Sequence, residues 1–237
     1  MSSGGGKAKT PTLLNDNLYH KQFYRVLDIL SEGPIYGAVN QTAPLNSIML
    51  NDTPVTDTNG NTSIPGISIA WRNGTVDQSP INGFNAIEST VIVNAQVTRD
   101  TPIIRTVSDP NVTRVRLNVG VDALVQSDDQ GNQYNTSVML MVDVKPSSSS
   151  TWTLVKDITI GPGKQSGEYL EAHIINAPDE KPFDIRVRRV TADSNSDLLR
   201  NDTRWSSYSE IIDDNLSYPH TAVAGAVIDH DQYTDMP

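Results

Sequence analysis

The sequence of 237 residues contains no cysteine. A chain without cysteine has no disulfide scaffold, no zinc site built on thiolates and no thiol redox chemistry. The absence also fits a chain that folds in a reducing cytoplasm. Stability must therefore come from a packed core, and a chain of this length can bury more than about 70% of its unfolded surface.

Long apolar runs are also missing. No stretch approaches the ~18 apolar residues of a membrane span, and the first residues, MSSGGGKAKTP, lack the apolar centre of a signal peptide. We therefore expect a soluble, unprocessed chain with no membrane contact in this segment.

Basic residues are outnumbered by acidic ones. There are 18 lysine and arginine residues against 28 aspartate and glutamate residues, which gives a net charge of −10 and a pI near 4.7. Phosphate binding requires a cationic surface, so we expect no stable binding of nucleic acid.

The sequence is rich in the residue types that are typical of strands and turns. Bursts of Val, Ile, Thr and Tyr are separated by clusters of Gly, Pro, Asn and Asp. Apolar residues occupy every second position in Arg114–Val119, Val138–Val144 and Phe183–Arg188. Together with Trp152–Ile160 and Tyr169–Ile175, these segments predict a β-sandwich.

The beginning of the chain gives a weaker signal. Residues 1–20 open with Gly, Ser and Lys and have no early apolar anchor, which predicts a flexible or partner-ordered arm. Residues 12–30 leave two interpretations open, because the apolar residues of FYRVLDIL fit both the spacing of a helix and the alternation of a strand.

One glycine-rich loop is similar to a phosphate loop. Gly161–Gly167 reads GPGKQSG and follows a predicted strand. A Walker motif would need glycine where Ile158 stands, and a dinucleotide fingerprint would need glycine where Ser166 stands. A hairpin loop is the simpler interpretation.

Two acidic loops invite a metal interpretation. If Gly60 of Asp57–Gly60 took the sixth position of a calcium loop, Val55 and Gly66 would stand where carboxylates are required. The loop Ser127–Asn132 could hold a cation weakly, but a solvated hairpin tip explains its composition. We therefore predict no metal.

No catalytic set can be assembled from the sequence. The four histidines are His20, His173, His220 and His230, with no i,i+4 pair among them. Carboxylates cluster at Asp213-Asp214 and at Asp229-His230-Asp231, but such runs are usually solvated. We predict no catalytic residue and no cofactor, and we do not expect an enzyme.

The densest basic patch is formed by Arg186, Arg188 and Arg189. Alternation places Arg186 and Arg188 on one exposed face of a strand and Arg189 on the other. This favours cross-strand ion pairs over recognition of an anion.

The stretch SEGPIYG predicts a sharp turn of the backbone. Gly33 before Pro34 permits a backbone that a side chain would hinder, and Gly37 allows a second change of direction. From the residues alone, any corner of a β-barrel satisfies this pattern.

The order of these segments resembles the N-terminal region of the tip attachment protein J family of lambda-like tailed phages. The similarity covers nearly all of residues 7–230, and its most specific pieces are SEGPIYG, LNDTPV followed by DTNGN, and WSSYSEIID. The family-signature residues are Ser31, Glu32, Trp205, Ser206, Ser207 and Tyr208.

This resemblance implies a mainly β fold in which a hub domain similar to a β-barrel is interrupted by an inserted β-sandwich. The implied segments are an arm (1–20), a first hub part (21–98), the sandwich (99–203) and a hub return (204–237). Gly33, Pro34 and Gly37 would then form a structural turn of the hub.

The resemblance further implies a role in the virion. The family forms a homotrimeric hub that closes the distal end of the tail tube, contacts neighbouring tail-tip and distal tube proteins, and lets DNA pass during ejection. It leaves a contact with the tape-measure protein open. Such a protein is made in the cytoplasm of the bacterial host and resides at the phage tail tip, and the family's receptor-binding parts lie beyond residue 237.

Two functions of other classes are compatible with the residues. A carbohydrate-binding sandwich or adhesin would use Trp71, Trp152 or Trp205 as sugar platforms. A cell-wall hydrolase would need two converging carboxylates, for which Asp213 and Asp229 are the candidates.

Overall fold

The computed structural model describes residues 10–19, 21–84, 86–214 and 216–232. These residues form sixteen strands and two short 3-10 helices, Pro44–Asn46 and His230–Gln232. The strands are β1 (Phe23–Glu32), β2 (Met49–Leu50), β3 (Thr53–Pro54), β4 (Ile67–Asn73), β5 (Ala86–Val97), β6 (Ile103–Val107), β7 (Arg114–Val121), β8 (Val125–Ser127), β9 (Gln133–Tyr134), β10 (Thr136–Pro146), β11 (Thr153–Gly163), β12 (Tyr169–Asn176), β13 (Phe183–Arg189), β14 (Leu199–Arg200), β15 (Thr203–Asp213) and β16 (Thr221–Asp229). The chain is thus mainly β, as its composition predicts.

The chain divides into two compact units. The sandwich unit comprises Met1–Tyr19 and Glu88–Ile212, and the three-strand unit comprises His20–Ile87 and Asp213–Pro237. The family resemblance implied an inserted sandwich at 99–203. The structural division lies further out on both sides because β5 and β15 are long strands that are neighbours in one sheet of the sandwich.

The sandwich unit consists of two four-stranded sheets. One has the order β11-β10-β13-β6 and the other has the order β12-β7-β15-β5. The strands β14, β8 and β9 form a third, smaller sheet in that order. The register opposes Asp143 to Arg186 between β10 and β13, and Leu117 to His173 between β7 and β12. The pairs β10–β11, β10–β13, β13–β6, β12–β7 and β15–β7 are all antiparallel, which fits alternating apolar and polar residues.

The core of the sandwich is made by the inward side chains of both sheets. Val115, Leu117 and Val119 are fully buried on β7, as the alternation predicts. Leu140 and Ile185 meet them from the opposite sheet in one continuous apolar cluster. Burying side chains of this size contributes roughly 1.5–3 kcal/mol each, so this cluster dominates the stability of the unit.

The three-strand unit is built differently. Its sheet has the order β1-β16-β4 and is antiparallel throughout, and β2 and β3 form a separate two-stranded ribbon. The residues Phe23–Glu32 are therefore a strand, which decides between the two interpretations of the sequence. No residue of β1 is buried, although most of its side chains are apolar.

Part of the arm predicted for residues 1–20 lies against the sandwich unit. Asn17 exchanges two hydrogen bonds with the backbone of Lys164, at 3.0 and 2.7 Å. Asp16 accepts hydrogen bonds from the Lys164 ammonium at 2.7 Å and from the backbone and hydroxyl of Ser166. Composition did not indicate these contacts, because the residues that Asp16 and Asn17 bind lie almost 150 positions further along the chain. Residues 1–9 and 20 lie outside the described residues.

Removing the largest buried side chain tests the sandwich core. Trp205 is 0% exposed, and its indole N–H donates to the Ser207 carbonyl at 3.0 Å. We expect Trp205→Ala to lower the free energy of unfolding by about 3–5 kcal/mol, through lost burial and the cavity that remains. Urea unfolding followed by circular dichroism measures this.

Trp152→Ala is the matched control, because Trp152 is only partly buried. We expect Trp152→Ala to lower the free energy of unfolding by clearly less than Trp205→Ala does. Equal losses for the two variants would contradict the assignment of Trp205 to the core.

Candidate functional site

The turn predicted at SEGPIYG is a corner at the end of β1. Gly33 has φ +92° and Gly37 has φ +114°, a region of the backbone that residues with a Cβ rarely adopt. The Gly33 N–H donates to the His220 carbonyl at 2.6 Å, and the Ile35 N–H donates to the Asn73 carbonyl at 2.7 Å. The corner is therefore attached to the loop before β16 and to the last residue of β4.

A third glycine, Gly74, makes this attachment possible. A Cβ on Gly74 would lie 2.7 Å from the Gly33 carbonyl oxygen and 3.0 Å from the Pro34 Cα. Gly74 also has φ +89°, so both backbone conformation and space require glycine here. The segment Gly33-Pro34 thus packs backbone to backbone on the loop after β4.

Gln78 holds the same loop in place. Its side-chain oxygen accepts from the Gly74 N–H at 2.8 Å, and its side-chain amide donates to the carbonyls of Ser217, Tyr218 and Thr221. The side chain is buried, so these bonds are costly to leave unmade. Nothing in the sequence pattern indicated this residue, since a glutamine in a turn-rich loop is ordinary.

The corner displays apolar side chains to solvent. Tyr36 is 88% exposed and Val39 is 94% exposed, although the backbone around them is tightly held. Exposed aromatic residues on a fixed backbone are typical of contact points for a partner. Both side chains are therefore accessible from solvent on a backbone that hydrogen bonds hold in place.

The second signature segment, Trp205 to Tyr208, has a structural role inside the sandwich. A register shift between Trp205 and Ser207 inserts one extra residue opposite β7. As a result Trp205 and Tyr208, three positions apart, both point into the core, with ring centroids 5.8 Å apart. Ser206 is the bulged residue, and the Ser207 hydroxyl accepts from the Asn118 amide at 2.9 Å. Regular alternation would have separated the two rings.

The two acidic loops have the same turn. In Asp57–Asn61, one carboxylate oxygen of Asp57 accepts the N–H groups of Asn59 and Asn61, and the other accepts the Asn61 amide, each at 2.8 Å. Both sequences read D-x-x-G-N, with the glycine at positive φ.

Asp128 makes the equivalent bonds and one more. It accepts the N–H groups of Gln130 and Asn132, the Asn132 amide and the Tyr134 hydroxyl, all within 2.9 Å. These donors, the Asn132 amide first and the Tyr134 hydroxyl second, lower the pKa of Asp128 to about 2. Both carboxylate oxygens are occupied by turn hydrogen bonds, which explains the loop without a cation.

The remaining motifs take ordinary structural positions. Gly161, Pro162 and Gly163 belong to β11, so the hairpin loop predicted for Gly161–Gly167 begins only at Lys164. In the part of the chain that the structure describes, no group of three or more His, Asp or Glu side chains could hold a metal ion.

The three arginines of the basic patch are engaged within the sandwich. Arg186 and Arg188 both bind the carboxylate of Asp143, at 2.9 and 2.8 Å, and Asp143 itself is 2% exposed. Arg189 lies buried on the other face, where it donates to the Asn201 carbonyl and pairs with Asp193. The cross-strand ion pairs predicted from alternation are present.

Two of the three tryptophans are poor sugar platforms. Trp205 is buried in the core, and the Arg186 guanidinium lies 4.4 Å from the centre of the Trp152 ring. Trp71, on β4, is partly exposed. A carbohydrate-binding function would therefore depend on Trp71.

Comparison with known proteins gives a family match. The model of the FNIII-A domain of tip attachment protein J matches residues 87–214. The tip attachment protein J of Escherichia phage SECphi4 is 30% identical over 99% of this chain, and that of Escherichia phage SECphi27 is 28% identical over 100% of it. The chain spans 20% of the length of each of these two relatives.

Similarity to solved structures is weak. A carbohydrate binding module from glycoside hydrolase family 9 of Ruminococcus flavefaciens FD-1 covers 53% of this chain, with 97% of its own length matched, 11% identity and a TM-score of 0.34. A structure of infectious bursal disease virus, Gt strain, covers 88% of this chain, with 57% of its own length matched, 11% identity and a TM-score of 0.27. At such low scores neither structure indicates a function for this chain.

Glycine substitutions test the packing of the corner. Gly33→Ala should lower the free energy of unfolding by about 1–3 kcal/mol through backbone strain alone, since an added Cβ meets no atom within 4 Å. Gly74→Ala should cost more, because strain and a backbone clash coincide there. Urea unfolding of the three-strand unit measures both, with the exposed Thr75→Ala as the neutral control. Equal stability of the Gly33 and Gly74 variants would contradict the close approach.

The turn at Asp128 predicts a dependence on pH. Its pKa is about 2 in the folded chain against 3.8 ordinarily, so its stabilising effect is complete above pH 3.8 and is lost as the pH falls towards 2. Asp128→Asn should melt below the wild type at pH 6, and this difference should shrink by pH 2. Differential scanning fluorimetry measures the melting temperatures.

Asp129→Asn is the control for that experiment, because the adjacent Asp129 accepts none of these turn hydrogen bonds. It should melt like the wild type at both values. A difference for Asp128→Asn that is independent of pH would contradict the role of its charge.

Proposed function

Because the chain belongs to the tip attachment protein J family, we propose that it forms the N-terminal part of a trimeric hub at the tip of a phage tail. The family places it in the tail of the virion, as a component that is assembled in the host. The finer proposal is that three copies close the distal end of the tail tube, organise the neighbouring tip and tube proteins, and open when DNA leaves.

The observation that carries this proposal is the exposure of apolar side chains on β1. Ile29 is 71% exposed and Phe23 is about half exposed, on the same face of a strand that lies at the edge of its sheet. Natural proteins shield long apolar edge strands, because such edges otherwise pair with other chains. We infer that a second copy covers β1 in the assembled tip.

Electrostatics support passage of DNA rather than its retention. The chain carries a net charge of −10. The arginines of its densest basic patch form ion pairs with Asp143 and Asp193 within the sandwich. An acidic hub repels the phosphate backbone, whereas a basic channel would bind and slow it. The proposed hub therefore guides DNA without holding it.

Sedimentation velocity of the chain tests the trimer. We expect a species of three times 25.9 kDa. Ile29→Lys should shift it to monomer, because a charge at the covered strand would be buried without a partner. Val76→Lys is the control, since Val76 is 63% exposed in the same unit but outside β1.

Two results would contradict the proposal. One is a wild-type chain that stays monomeric at high concentration. The other is an Ile29→Lys chain that still forms the trimer, which would place the contact elsewhere.

A further inference from the structure

The three-strand unit carries a groove on the face of its sheet opposite Ile29. The groove has a volume of about 310 Å³ and is lined almost entirely by apolar side chains. Leu30 of β1 stands on one side, and Ile69 and Trp71 of β4 stand on the other. The corner loop after Gly33 and the strand β2 close its ends.

The floor of the groove follows from the sequence of β16, TAVAGAVID. Its alternate residues on this face include Ala224 and Ala226, whose methyl groups leave room above the central strand. The register sets Ala224 between Asp28 and Trp71. Neighbouring strands lie about 4.8 Å apart, so Asp28 and Trp71 face each other across a slot about 10 Å wide at the backbone.

Asp28 is the charged residue of this groove. It is one of thirteen lining residues, and none of the others is charged. Among the residues that the structure describes, its carboxylate has no hydrogen bond and no ion pair. A carboxylate in an apolar wall gains most from a cation that it can pair with as water leaves.

The net charge of the three-strand unit also favours a basic partner. Its sequence contains three lysine or arginine residues and ten aspartate or glutamate residues. Complementary charge directs association towards a basic partner and disfavours another acidic surface. A second copy of this unit would bring the same excess of carboxylates to the groove, whereas the contact proposed between copies lies on the Ile29 face of β1.

We propose that this groove binds an apolar protein segment that carries one arginine or lysine. The cation lies in the slot, paired with Asp28 and against the face of the Trp71 indole, and the flanking apolar side chains cover Ala226 and Ile69. A carboxylate and an aromatic ring on opposite sides of one slot suit a basic side chain by ion pairing and by cation–π attraction. The proposal rests on the proposed function only in that it assigns the segment to a neighbouring tail-tip protein.

Peptide binding to the whole chain tests the groove directly. The probe is a fluorescein-labelled peptide, acetyl-Gly-Leu-Val-Arg-Leu-Gly-amide, and its matched control has glutamate in place of arginine. Fluorescence polarisation should show the arginine peptide binding at least about tenfold more tightly, as expected for a charge-assisted contact.

Three protein variants locate the binding. Asp28→Asn keeps the shape of the groove and should weaken the arginine peptide about tenfold, while Asp77→Asn, an equal change of charge outside the groove, should have no effect. Ala224→Leu fills the slot and should abolish binding of both peptides. Circular dichroism of each variant confirms that the fold is retained, and Asp28→Asn remains decisive if Ala224→Leu does not fold.

The proposal is overturned by any of three results. These are no saturable binding up to millimolar peptide, equal binding of the two peptides, and equal effects of Asp28→Asn and Asp77→Asn. Sedimentation separates this outcome from failure of the hub proposal, because Asp28→Asn should leave the trimer intact. If Asp28→Asn or Ala224→Leu dissociated the trimer, the groove would be a contact between copies and not a site for a basic segment.

Discussion

A sheet of three strands cannot cover both of its own faces, and this constraint governs how the chain is used. In the sandwich unit two four-stranded sheets cover each other, and their inward side chains form one buried cluster. In the three-strand unit no position of β1 is buried, although the strand is rich in apolar side chains. Such a surface is stable only when something else covers it. The assembly proposed for β1 and the partner proposed for the groove both follow from this unequal burial.

The corner after β1 shows how little freedom the three-strand unit has locally. A Cβ on Gly74 would clash with the Gly33 carbonyl and Pro34, and the Gln78 side chain hydrogen-bonds the surrounding carbonyls. The exposed side chains of Tyr36 and Val39 therefore stand on a fixed backbone. A fixed apolar surface loses less conformational entropy on binding than a mobile one, which suits a component of a permanent assembly.

Charge is distributed to match these roles. In the sandwich unit the arginines on one face of β13 are paired within the fold, since Asp143 binds both Arg186 and Arg188. In the three-strand unit acidic residues are in excess and Asp28 has no cation of its own. Unbalanced charge beside an apolar groove selects among partners, whereas charge that is paired within the fold does not.

The sequence by itself determined the features that depend on neighbours along the chain. Alternation identified β7, β10 and β13, and it placed Arg186 and Arg188 on the face opposite Arg189. The glycines of SEGPIYG indicated a special backbone. The order of the signature segments indicated the family.

Only the tertiary structure decided the features that depend on residues far apart in the chain. The bulge at Ser206 brings Trp205 and Tyr208 into one core, against the two-residue period, because pairing with β7 sets the register. Tertiary structure also decided three other features. These are the contacts of Asp16 and Asn17 with Lys164, the extension of β11 through Gly163, and the groove above Ala224. Local periodicity states which face a side chain prefers, but register and coverage are set by strands that meet only when the chain has folded.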